Sequence, residues 1–318
     1  MNLGVIIDNA VRRHGTRTAF DDGRRSLTFA ELDLRLNRVG NALAALGVRP
    51  QECIASLQHN NLETVEFDLA AARFGYVRTL LNARGGSDEH LRALQAGSCR
   101  ALVFGPGFAE AAAGLRERLP PGMVWISTGN GPDWALSWED ILARAADTPP
   151  THVVSESDLH SIYFTSGTTG EPKGIVLSQR NWLAVVRNHL VDTYAATGVD
   201  DVLLHAAPLS HATGSLVMAH LARGARQRIM PQFDAGEVLE LFERERVSNV
   251  WLAPTMLVRL FEHEDSGRRD LSSLRSVRWG GGPMPAERVR EGVSRWGPVF
   301  VGGWGQWEAP QQCTHLAQ

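Results

Sequence analysis

The run Tyr163-Phe-Thr-Ser-Gly-Thr-Thr-Gly-Glu-Pro-Lys-Gly174 contains Lys173, the single lysine among the 32 lysines and arginines of a 318-residue chain. An ammonium is a compact point charge on a flexible stem, whereas a guanidinium is a planar fork, so a lone lysine suits a phosphate that moves. Gly167, Gly170 and Gly174 permit tight turns that present N–H groups, and Thr165, Ser166, Thr168 and Thr169 add hydroxyl donors. The spacing is not that of a Walker loop, which needs Gly-Lys-Ser/Thr opening a helix. The run follows an apolar strand pattern at 160–165, and the same kind of pattern recurs at 52–57, 100–104, 124–127, 202–205, 228–230, 249–252, 277–279 and 299–301. Helical patterns stand between them at 29–46, 61–74, 88–96, 179–196, 235–246 and 286–296. Alternation of this kind predicts an α/β fold with layered, largely parallel β-sheets flanked by helices.

Length and composition narrow the function classes. A chain of this size exceeds one ordinary core, so two subdomains are expected. The linker-like stretch Ala145-Ala-Asp-Thr-Pro-Pro-Thr-His152 places the boundary between 1–150 and 151–318. A net charge of -3 and a pI near 6.4 argue against nucleic acid or an anionic membrane as partner. The basic cluster Arg223-Gly-Ala-Arg-Gln-Arg228 reads as a solvated face. Cys53, Cys99 and Cys313 are odd in number and far apart in sequence, which argues against a disulfide framework or a zinc site and for a reducing, cytoplasmic compartment. Residues 1–20 read as an amphipathic helix rather than a signal peptide, and no apolar run is long enough to span a bilayer. His263-Glu-Asp265 reads as a charged, solvated turn.

With these residues in view, the chain resembles the AMP-binding signature of the adenylate-forming superfamily of acyl-CoA synthetases, aryl-CoA ligases, adenylation domains and luciferases. Three further segments resemble that family in the same order: Pro208-Leu-Ser-His-Ala-Thr-Gly214, Gly280-Gly-Gly-Pro-Met-Pro285 and Gly303-Trp-Gly-Gln-Trp-Glu-Ala-Pro310. Fainter echoes at Leu27-Thr-Phe-Ala-Glu-Leu32 and Phe74-Gly-Tyr-Val77 extend the likeness toward the N-terminus. The resemblance implies the larger part of an N-terminal domain. It implies that the family's ribose-binding aspartate, its hinge and its mobile C-terminal domain with the catalytic lysine are absent from this chain.

The family reaction joins a carboxylic acid to CoA through an acyl-adenylate. The resemblance therefore assigns roles by position. Thr165, Ser166, Gly167, Thr168, Thr169, Gly170 and Lys173 would bind phosphate, and Gly281, Gly282, Pro283, Trp304 and Gly305 would bind the adenylate. His211, Gly214 and Gly303 would line the acyl pocket, with His211 beside the carboxylate. Glu308 would hold magnesium if ATP is used, a role suited to a hard oxygen ligand. His211, Lys173 and Trp307 are the candidate catalytic residues. Ser210 and His211 are not expected to form a hydrolase dyad, because adjacent side chains rarely project toward one another and no nucleophile-elbow pattern surrounds them.

Trp307 is the chief departure, since the family places a small hydroxyl residue there, against the α-phosphate. An indole removes a donor and adds a side chain that buries roughly 150–250 Å². The favoured reading is an acyl-CoA ligase impaired in adenylation. It would convert an acyl-adenylate made by a separate adenylating ligase, plus CoA, into acyl-CoA and AMP, with a hydrophobic acid as substrate. An ordinary two-step ligase and a catalytically silent binding module are the alternatives. The combination also resembles a non-adenylating acyl-CoA ligase of bacterial terpenoid antibiotic assembly.

Overall fold

The computed structural model describes residues 1–165 and 173–316. Two compact units emerge: Met1–Gly15 with Phe29–Ala184, and Thr16–Thr28 with Val185–Gln318. Each is an α/β assembly, as the alternation of patterns predicts, but the division does not follow the expected boundary at 150. The diproline stretch leads into strands Leu159–Thr165 and Lys173–Ser178, which pair into the sheet of the first unit. The reason is that Arg78, on the parallel neighbour Val77–Leu80, pairs with Ser161 in the ladder and reaches the Tyr163 hydroxyl at 2.7 Å.

In the first unit, the sheet among the described residues runs Leu136–Ser137, Val124–Ser127, Ala101–Phe104, Cys53–Leu57, Val77–Leu80, Leu159–Thr165, Lys173–Ser178. All neighbours are parallel except the last pair. Central strands buried on both faces read as unbroken apolar runs, which is why Cys53–Leu57 and Ala101–Phe104 were legible. The helix Leu62–Phe74 starts at Asn61, whose side chain accepts from the Thr64 N–H, and stops at left-handed Gly75. It packs so close to helix Phe29–Ala45 that a Cβ on Gly40 would overlap the Phe74 ring. Buried Glu66 ties these helices together, accepting from Arg35 at 2.9 Å and from the Trp138 indole at 3.1 Å.

The sheet of the second unit runs Ala309–Leu316, Phe300–Gln306, Ser276–Trp279, Asn249–Leu252, Val202–His205, Arg226–Ile229, Thr18–Asp21, Ser26–Thr28. Its centre is parallel and both edges close with antiparallel hairpins. The expected helix over 1–20 ends at His14, and Thr18–Asp21 is a strand. Asp21 explains its position: it accepts from Arg228 and, at 3.0 Å, from Arg226. The cluster 223–228 is accordingly no solvated face, because Arg228 is buried and paired. The helix expected over 179–196 stops at Asn188 and passes into a π-helical turn, His189–Thr193. No helix among the described residues is long and apolar enough to cross a membrane.

Candidate active site

The motif loops of the second unit leave the carboxyl ends of its parallel strands, the edge where open α/β sheets bind ligands. Pro208 to Gly214 follows strand Val202–His205, Gly280 to Pro283 follows Ser276–Trp279, and Trp307–Glu308 is the turn joining Phe300–Gln306 to Ala309–Leu316. His211 precedes the 3-10 turn Ala212–Leu216, which packs on the last of these strands. That packing brings the His211 imidazole against the Trp307 indole, with ring centroids 6.0 Å apart and planes inclined at 57°.

The Ser210 Oγ lies 2.9 Å from His211 Nδ1. Adjacent side chains do therefore meet here, contrary to the expectation from sequence. The cause is the backbone at His211, whose amide bonds to the Pro208 carbonyl at 2.9 Å and folds the segment into a turn. A hydroxyl beside Nδ1 fixes the orientation of the His211 ring.

The glycines have structural reasons that sequence could not supply. Gly281 has φ +79, a conformation that favours glycine, and a Cβ on Gly280 would come within 2.6 Å of the Gly303 carbonyl oxygen. Gly281, Gly282 and Pro283 are exposed, so the turn offers a flat ledge of backbone. Trp304 is 58% exposed on the neighbouring strand, and Gly305 follows it, also exposed. Gly214 and Gly303, expected in an acyl pocket, are each held small by a neighbour. A Cβ on Gly214 would overlap the Leu209 carbonyl, and one on Gly303 would meet the Arg278 guanidinium at 3.0 Å.

Glu308 is exposed at the hairpin turn. Among the described residues no group of three or more His, Cys, Asp or Glu converges as a metal cage.

In the first unit, Thr165 pairs with Lys173 across the antiparallel ladder, so the lysine is a strand residue at the foot of the connection, exposed to solvent. Ser166, Gly167, Thr168, Thr169 and Gly170 lie outside the described residues. The strand that carries Thr165 is firmly seated. Arg78, paired with Asp68 at 2.5 Å, lies over the rings of Tyr163 and Trp182 at 5.1 and 5.3 Å, and the Trp182 indole donates to the Ser161 hydroxyl at 2.8 Å.

Behind the motif edge of the second unit lies a buried polar group that sequence reading missed. His189, His205 and His220 are each fully buried, and Tyr194 packs against His220 at 4.7 Å. Burial pushes His205 and His220 down to about 4, and burial with the nearby Arg278 charge depresses His189. Burial pushes the Tyr194 hydroxyl up to about 12. The histidines are thus neutral hydrogen-bonding groups: His205 contacts Thr213 and Gln227, each at 2.9 Å, bracing the loop that carries His211. A cavity of about 290 Å³ lined by Tyr194, Asp201, Asn249, Arg275, Ser276 and His315, among others, opens at the amino ends of the strands, opposite the motif loops.

The chain belongs to the family of AMP-binding enzymes, whose family model matches residues 7–317. It is 36% identical over 298 residues to a feruloyl-CoA synthase of an Amycolatopsis species, covering 92% of this chain and 56% of that protein. It is 29% identical to a medium/long-chain fatty acid–CoA ligase of Mycobacterium tuberculosis, covering 99% of this chain and 56% of the relative. The crystal structure of an anthranilate CoA ligase in complex with anthranoyl-AMP superposes with a TM-score of 0.90 at 25% identity, over 96% of this chain and 60% of that one. The chain spans about half the length of the curated relatives it matches.

Proposed function

We propose that the protein to which this chain belongs joins a hydrophobic carboxylic acid to CoA through an acyl-adenylate. The observation that carries this is the packing of His211 on Trp307. It brings the residue expected beside the acyl carboxylate onto the hairpin expected to hold the nucleotide. The names of the relatives support an acid of the aryl or medium-chain kind. Thr165 and Lys173 would hold phosphate, Gly281 to Pro283 with Trp304 and Gly305 would seat the adenine, and Glu308 would hold magnesium. CoA is the acceptor and AMP the product.

Two readings of Trp307 divide the mechanism. The indole packs toward His211, on the acyl side, which favours a two-step ligase in which Trp307 forms part of the acyl mouth. The loss of a hydroxyl donor at that position supports the other, a ligase confined to thioesterification and supplied with acyl-adenylate by a separate adenylating enzyme. Exchange of pyrophosphate into ATP, measured beside CoA transfer from synthetic acyl-adenylates, separates them. Exchange with an aryl or medium-chain acid supports the first reading, and transfer without exchange supports the second. Absence of both in the full-length protein overturns the ligase assignment.

A further inference from the structure

Cys53 and Cys99 are 46 positions apart in sequence, yet the fold of the first unit brings their sulfurs to 3.3 Å. Cys53 begins the strand Cys53–Leu57, and Cys99 lies in the turn entering its parallel neighbour Ala101–Phe104. The Arg100 amide bonds to the Cys53 carbonyl at 2.8 Å, and Ile54 faces Ala101 in the ladder, so the strands fix both thiols in place. Gly97 makes room for the pair: a Cβ there would meet the Cys99 sulfur at 3.1 Å and the Cys53 sulfur at 3.4 Å. Distance along the chain had argued against any pairing; register across the sheet creates it.

We propose that Cys53 and Cys99 form a thiol–disulfide modification site, oxidised to an intramolecular disulfide by small-molecule disulfides. A bond requires the sulfurs to approach by about 1.2 Å, within the reach of side-chain rotation. Cys53 is buried and Cys99 is partly exposed, so Cys99 meets the oxidant first. Its thiolate attacks one sulfur of the small disulfide, expelling one thiolate and leaving a mixed disulfide. The Cys53 thiolate then attacks the Cys99 sulfur, closing the protein disulfide and expelling the second thiolate. Two protein thiols lose two electrons, one small disulfide gains them, and the two protons finish on the two small thiols. The hydrogen bond with Cys53 and burial hold the Cys99 thiol well above its usual range, so exchange is slow at neutral pH and faster in mild alkali.

The link would join two neighbouring strands at their amino ends. Thr165 sits at the carboxyl end of a parallel strand in the same sheet, so the linkage leaves that edge untouched. The test is incubation of the full-length protein with oxidised glutathione at pH 8, followed by thiol titration in denaturant, intact mass and peptide mapping. The expected product has two fewer free thiols than the reduced protein, a mass lower by two hydrogens, and a cross-linked peptide holding Cys53 and Cys99. Its Tm should rise by about 5–10 °C, and dithiothreitol should reverse the shift. Cys53→Ser and Cys99→Ser should each lose the cross-link, while Cys313→Ser retains it. The proposal is overturned by glutathionylated protein without a cross-link, by an unchanged count of free thiols after prolonged incubation, or by a link that includes Cys313.

Discussion

Trp307→Thr changes the side chain at which this chain departs furthest from the pattern it resembles, and two effects of opposite sign follow. The indole is half-buried at the tip of a hairpin and packs on His211 at 6.0 Å. Losing a tilted aromatic pair costs about 0.5–1.5 kcal/mol, so an acyl group seated against His211 should be held about 2- to 13-fold more weakly. A threonine hydroxyl donating to a charged phosphate oxygen contributes about 1.5–3 kcal/mol, which tightens ATP by about 10- to 150-fold. Titration calorimetry with ATP–magnesium and with a non-hydrolysable acyl-adenylate analogue separates the two. ATP should gain most, and the analogue should gain less by the fraction lost at the ring pair. If the variant melts as the parent does, and ATP affinity is unchanged while the analogue binds as before, Trp307 neither obstructs the nucleotide nor shapes the acyl mouth.

Lys173→Ala should leave Tm unchanged, because the side chain is exposed, and should lower pyrophosphate exchange while CoA transfer from a synthetic acyl-adenylate stays within a few-fold; equal losses in both assays would refute a pyrophosphate role. Asp21→Ala should destabilise by about 3–5 kcal/mol, since it leaves Arg228 buried without its partner; urea melts read this, and a loss under 1 kcal/mol would refute the account of the strand Thr18–Asp21. Stability should also fall on acidification. His205 and His220 are held near 4 in the fold against about 6.5 unfolded, so above pH 6.5 neither state takes up a proton. Below it the unfolded chain binds protons first, and the loss grows to about 3 kcal/mol per histidine as pH approaches 4. Urea midpoints that hold level between pH 6.5 and 4.5 would contradict this.

The fold was legible at most central strands and obscure at most edges; the central strand Val77–Leu80, whose apolar run Arg78 and Thr79 interrupt, went unread. Strands at the centre of the second sheet, such as Val202–His205 and Asn249–Leu252, carry short apolar runs that match the sequence reading residue for residue. The strands at or near the edges, Thr18–Asp21, Ser26–Thr28, Lys173–Ser178 and Ala309–Leu316, went unread: several carry polar side chains, and their pairing is decided by distant partners. Asp21 shows why, since its arginine partners come from another part of the chain. The candidate site was legible as motifs and not as geometry. Nothing in the order Ser210-His211 announces that the hydroxyl reaches Nδ1, nor that a Cβ on Gly214 would overlap the Leu209 carbonyl.

The early hairpin Thr18–Thr28 also sets a schedule for biosynthesis. Asp21 leaves the ribosome some 205 residues before Arg226, its ion-pair partner, a wait of about 10–40 s at ordinary elongation rates. During that interval the hairpin has no sheet to join, and an isolated two-stranded ribbon is marginal in water. The first sheet can assemble meanwhile, because its strands end at Ser178. The second must draw back a segment that was made before the first was begun. Neither half is a contiguous stretch of gene, so cutting the coding sequence at the visible boundary between the units would give one fragment a stranded hairpin and leave the other with an uncovered edge at Arg226–Ile229.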